Sequence, residues 1–147
     1  DMNGNPIVVI DGAFECDSEG AIMQMNFLMD RLVRYMSSSE IPSVTYVMDL
    51  GPRAKLHNYS TPLNVTFLKY TSLFAPTFQL HICCASALAQ KAIGLLPSSM
   101  RSRITVASDY SNLQGKISAE NMLPSWGGSY DFDIGKYMQF LLDTMDE

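Results

Sequence analysis

Apolar and polar residues along this chain fall into blocks that switch between two periods. Pro6-Ile7-Val8-Val9-Ile10 is an unbroken apolar run after Asn3-Gly4-Asn5, and it stops at Asp11-Gly12. Such a run predicts a strand buried on both faces. The period then changes. Ile22, Met25, Leu28, Met29, Leu32, Val33 and Met36 recur at helical spacing, behind a cap at Asp17 or Ser18. Asp30 and Arg34 stand one turn apart on the outer side of this helix. Val44-Thr45-Tyr46-Val47-Met48 predicts a second strand. Leu80-His81-Ile82-Cys83-Cys84 predicts a third, and Arg103-Ile104-Thr105-Val106-Ala107 a fourth. Between the second and third, Thr61-Pro62 opens a helix that buries Leu63, Phe67, Tyr70 and Phe74. Residues 85–96 predict a further helix, and residues 109–114 a short helical or turn segment. The last helix carries Ile134, Tyr137, Met138, Leu141, Leu142 and Met145 on one stripe, capped by Asp131 or Asp133.

Strands alternating with helices imply an α/β fold with a mostly parallel central sheet of four to five strands flanked by helices. The expected organisation is one domain over residues 1–147. Ligands of such sheets sit beyond the carboxyl ends of the strands or beneath a lid over one face.

Composition narrows the function classes. The chain is 47% apolar, enough for a substantial core, and its formal net charge of -5 argues against a nucleic-acid partner. The three cysteines, Cys16, Cys83 and Cys84, are odd in number and two are adjacent, so reduced thiols and a cytoplasmic location are expected. No apolar run reaches the roughly 18 residues that cross a bilayer.

No phosphate-binding glycine loop, nucleophile elbow or paired Cys-x-x-Cys is present. His57 and His81 have no neighbours at metal-ligand spacing, so neither a metal nor a cofactor is expected. Asp11 and Asp49 follow strands and could join His81 in a small α/β enzyme. That alternative lacks a nucleophile and a positioned base, and the chain reads as a non-enzyme.

The segment from Ala87 to Leu96 carries few polar residues. A buried core helix is one reading. An amphipathic lid over an apolar cavity, able to touch a membrane, is the other. Gly94 and Pro97 would let it hinge. Arg101 and Arg103 follow at once, and could be a solvated turn or a cationic step that docks on anionic lipid.

The run Ile117-Ser118-Ala119-Glu120-Asn121-Met122-Leu123-Pro124-Ser125-Trp126-Gly127-Gly128 resembles the ending of CRAL-TRIO lipid-binding domains, a run into Leu-Pro, two variable residues and Gly-Gly. Pro76 before the third strand, the apolar segment to Leu96, Pro97 and the fourth strand stand in that family's order. The first two strands also look like its own. The resemblance covers nearly the whole chain and is nearest to tocopherol-transfer and phosphatidylinositol-transfer proteins. The family's helical N-terminal subdomain has no counterpart in this sequence.

The resemblance implies a sheet that floors an apolar cavity and a gating helix that closes it. It implies binding, and transfer between membranes, of a small hydrophobic molecule or phospholipid by a protein peripheral to membranes. The family's phosphoinositide-contacting basic position falls on Arg103, with Arg101 beside it. Its acidic position after the helix-ending proline falls on Thr77, which departs from the inositol-lipid pattern. The expected pocket draws on Tyr46, Met48, Phe67, Tyr70, Phe74, Ile82, Cys84, Leu88, Ile93, Leu96 and Val106. A protein-interaction module with the same fold and no cargo is the alternative, so a protein partner or neighbouring domain is also in view. Leu123 to Gly128 itself reads as a turn that labels the fold, with Trp126 as a structural anchor.

Overall fold

A computed structural model describes residues 1–11, 43–51 and 78–143, together with positions 20, 23, 27, 28, 30, 31 and 34. The expected helix through Leu63, Phe67, Tyr70 and Phe74 lies outside the described residues, as do Cys16, His57, Pro76 and Thr77. Among the described residues four strands form one sheet: β1 (Ile7–Asp11), β2 (Val44–Asp49), β3 (Phe78–Cys83) and β4 (Ile104–Val106). They lie in chain order, and every pairing is parallel. The α/β class is therefore observed.

Register decides which side chains share a face. Val8 pairs with Tyr46, Tyr46 with Leu80 and Ile82 with Val106. Because side chains alternate, these residues point to one side. There Val8, Val44, Tyr46, Phe78, Leu80, Ile82 and Ala85 form one buried cluster. Leu28, from the helical positions between β1 and β2, packs on the same cluster. So do Ala89 and Ile93 of α1 (Ala87–Gly94), which joins β3 to β4. Right-handed crossovers between sequential parallel strands put both connections on that face. We call it the roof face.

The opposite face holds Ile7, Val47 and Cys83, covered by Leu113, Ile117, Met122 and Trp126. All four come from the irregular segment after β4, which winds through short 3-10 turns at Ser111–Leu113, Ala119–Asn121 and Pro124–Trp126. We call this segment the cover. Val9 corrects the expectation that β1 is buried on both sides. It is exposed because β1 is an edge strand and the buried cover residues cluster with Val47 and Cys83, on β2 and β3.

The Leu123–Gly128 turn shows why its two glycines are adjacent. Trp126 N–H donates to the Leu123 carbonyl at 2.9 Å, closing a single turn. Gly127 follows with φ +87°, left-handed backbone that side chains rarely adopt. Gly128 N–H returns to the Leu123 carbonyl at 3.0 Å. A Cβ on Gly128 would collide with the Met122 backbone carbonyl. One glycine supplies the conformation, and the other the close approach.

Two element ends differ from expectation. β3 stops at Cys83, because Cys84 turns to φ +56°. The helix expected over 85–96 is shorter, capped by Ser86, whose hydroxyl accepts from Ala89 N–H at 3.2 Å. A single turn, α2 (Ser98–Arg101), leads into β4. The last helix, α3 (Ile134–Asp143), is capped by Asp133, whose carboxylate accepts from Gly135 and Lys136 N–H at 2.9 and 3.1 Å. The Asp30–Arg34 ion pair is present at 3.0 Å.

Candidate functional site

On the roof face, β2 and β3 supply the floor. Tyr46 is fully buried and meets Phe78 edge-on, with ring centroids 6.2 Å apart at 79°. Burial pushes its phenol up to about 12. Met48, Ile82 and Val106 lie on the same face, in one apolar surface with Ile10 and Ile104. Four pocket residues read from the sequence, Tyr46, Met48, Ile82 and Val106, thus stand together, and Ile93 joins them from α1.

α1 itself contains no buried residue. Ala89 and Ile93 turn toward the floor, Leu96 is half-buried, and Leu88 and Leu95 are 77% and 88% exposed. Leu88 therefore faces outward rather than lining a cavity. Cys84 leaves the strand with its positive φ and stands beside Tyr110, away from the roof cluster. Phe67, Tyr70 and Phe74 lie outside the described residues.

The two arginines separate in role. Arg101 ends α2 and is exposed. Arg103 is half-buried, with its guanidinium 5.5 Å from the Phe78 ring centroid. A cation held over an aromatic face is worth about 0.5–2 kcal/mol, so Arg103 braces the edge of the floor.

No protein-family model matches this chain, and neither does any curated protein or solved structure.

Among the described residues, side-chain polar bonds gather on the cover face of the sheet. Asp49, at the end of β2, accepts from Trp126 Nε1–H at 2.9 Å and from Gly51 N–H at 2.9 Å. The Tyr110 hydroxyl lies 3.1 and 3.2 Å from its two oxygens. Burial, then the Cys84 thiol and the Asp49 carboxylate, hold the Tyr110 phenol well above its usual range. Tyr110 also stacks on Trp126, 6.3 Å between centroids at 30°. Asp49 is thus an acceptor that ties the cover to the sheet.

A second knot lies further down. The Cys83 thiol donates to Asn112 Oδ1 at 3.3 Å, and Asn112 Nδ2 donates to the Ile82 carbonyl at 3.0 Å. His81 Nδ1 lies 2.6 Å from the Thr105 hydroxyl. Asp49 and His81 share a face but not a hydrogen bond, and the Asp11 side chain lies outside the description. Among the described residues, no three His, Cys, Asp or Glu side chains are grouped to hold a metal. Neither Tyr110 nor Asn112 stands out in the sequence as a site residue. They sit in a run, Asp109-Tyr110-Ser111-Asn112, that reads only as a polar turn.

Proposed function

We propose that this protein binds a hydrophobic small molecule or phospholipid on the roof face, under α1, and carries it between membranes. The observation that carries the reading is the asymmetry of α1. Its Ala89 and Ile93 rest on the apolar floor, while Leu88 and Leu95, which caps its end, stand in water. Exposed leucines on the element that covers an apolar sheet give that element a second place to go. Each gains about 2 kcal/mol on entering lipid. Lys91 and Arg101, exposed beside them, each add about 1 kcal/mol at an anionic surface. A membrane thus competes with the floor for α1 and uncovers the space beneath. A lipid chain moved there from water gains about 0.8 kcal/mol per CH₂, which drives loading without bond chemistry. Among the described residues no helix is long and apolar enough to cross a membrane, so contact is made by the surface of α1 and α2.

The test is extraction of the purified protein with organic solvent and identification of what is released. A stoichiometric lipid, or uptake of labelled lipid from liposomes, is expected. Protein that is empty by native mass spectrometry and takes up nothing from liposomes refutes the reading. A second reading, a cargo-free protein-interaction module, draws on α3. Ile134, Tyr137, Met138, Phe140 and Leu142 are all exposed there. Stable dimers of a cargo-free chain by light scattering would favour it.

A further inference from the structure

His81 is an unusual residue for the middle of a parallel sheet. It sits in β3, between β2 and β4, and is 3% exposed. Its register partners are Val47 and Thr105. Val47 and Cys83 on the same face are packed beneath Leu113 and Ile117, so the cover lies over the imidazole. The only hydrogen bond it makes to a described residue is the 2.6 Å contact with Thr105. That hydroxyl also lies 3.5 Å from Asn112 Nδ2, so it stands between the histidine and the cover. With Asn112 donating to the hydroxyl oxygen, the hydroxyl proton points to Nδ1, which suits a neutral imidazole.

Among the described residues, the charged and titratable groups of this face give a proton no compensation. Lys116 of the cover repels it. Cys83 is a thiol engaged with Asn112. Asp49 is occupied by Trp126, Tyr110 and Gly51. Asp109 accepts from Ser111 N–H, and Asp1 is held by Asn3, Asn5 and Thr45. A proton on Nδ1 would remove the acceptor that the Thr105 hydroxyl serves and bury an unpaired cation beneath the cover. We infer that His81 is a proton-sensitive latch. Neutral, it lets the cover close over the second face of the sheet; protonated, it favours the cover's opening.

The direction follows from linkage. Burial first, and Lys116 second, lower the proton affinity of His81 below its ordinary value of 6.5. A cover that has opened frees the imidazole to take up the proton. Closure is therefore fully favoured above pH 6.5 and weakens as pH falls below it. The open population rises by up to about tenfold per pH unit until the closed-state value is reached.

The test is amide hydrogen exchange of the full chain, read by mass spectrometry over the cover and corrected for the intrinsic rate. Protection of residues 112–128 is expected to stay level from pH 7.5 to 6.5 and to fall by up to about tenfold per unit from there toward pH 5. In His81→Gln, which cannot titrate, it is expected to stay level. A flat wild-type profile overturns the proposal, and so does a His81→Gln profile as steep as the wild type. Should His81→Gln fail to fold, Lys116→Gln changes an exposed side chain only. Removing that cation raises the closed-state affinity, so the sloping window should end at higher pH. A window that does not move also overturns the latch.

Discussion

Replacing Trp126 by Phe tests the claim that the Leu-Pro-x-x-Gly-Gly turn anchors the fold and does not touch cargo. The ring is 6% exposed, and its Nε1–H donates to the Asp49 carboxylate at 2.9 Å. A hydrogen bond to a charged acceptor contributes about 1.5–3 kcal/mol. The smaller ring leaves a gap worth about 1 kcal/mol more. Asp49 keeps Tyr110 and Gly51 as donors, so the carboxylate is not stranded and the loss stays near 3 kcal/mol. That is a large share of the 5–15 kcal/mol typical of a domain. Urea unfolding followed by far-ultraviolet circular dichroism reads it, because the variant has lost the only Trp. Asp49→Ala removes the acceptor for all three donors and should cost more. In the double-mutant cycle the two changes should couple by about 1.5–3 kcal/mol. Lipid uptake per folded molecule should not change, since Trp126 and Tyr46 belong to clusters on opposite faces. A Trp126→Phe loss below about 0.5 kcal/mol, or a cycle that is simply additive, would falsify the anchor.

Gly128→Ala must push a methyl into the Met122 carbonyl and unseat the turn, at a cost of about 3 kcal/mol or more by the same urea assay. Gly4→Ala serves as a comparison: it has a positive φ but open space, and should lose only about 1 kcal/mol. The Cys83 thiol is pushed up to about 12, by burial first and then by Asp49, so the folded chain keeps a proton that the unfolded chain releases near 9. Stability from this group is therefore complete below pH 9 and declines above it, by up to about 1.4 kcal/mol per unit. Alkylation at pH 8, mapped by mass spectrometry, should spare Cys83 until urea unfolds the chain; rapid labelling of the native protein would contradict its burial. Leu88→Ser with Leu95→Ser should change the unfolding free energy from the urea assay by under about 0.5 kcal/mol, because both side chains already face water. The same pair should weaken liposome binding about a hundredfold or more. Unchanged liposome binding would remove α1 as the docking element.

The strands were legible because β-branched runs bounded by turn residues leave little choice, and their ends fall within two residues of expectation. Cys84 departs from the expected strand for a local reason. Nothing in Ile82-Cys83-Cys84-Ala85 announces a residue at φ +56°. Facing was not legible, because a shift of one residue exchanges the two sides of a strand. Pairing of Tyr46 with Leu80 fixes it, and only the folded sheet supplies that pairing. The role of Asp49 was hidden by distance along the chain. Its strand-end position suggests a ligand for phosphate or metal, yet a main partner lies 77 residues away, in a turn whose pattern gives no sign of a donor. Arg103 was legible as a cation beside α1, but its stacking on Phe78 was not, since Phe78 lies before the run that marks β3.

The two faces of the sheet differ in a way that bears on which of them opens. The cover brings Leu113, Ile117, Met122 and Trp126 to 7% exposure or less, and fastens them with side-chain bonds through Asp49 and Asn112. α1 brings no residue to that depth, and its side-chain bonds, from Ser86 and from Gln90 to the Ala85 carbonyl, are local to its own first turn. Local opening costs scale with the apolar contacts and buried hydrogen bonds that must be given up. Among the described residues, the cheaper motion is therefore that of α1 away from Tyr46 and Ile82, with the sheet held flat from the other side. A cavity that must load and unload needs one wall that yields and one that does not. On the proposed function, the yielding wall is also the one with leucines and cations on its outer side, and the membrane that receives the cargo would supply the energy that opens it.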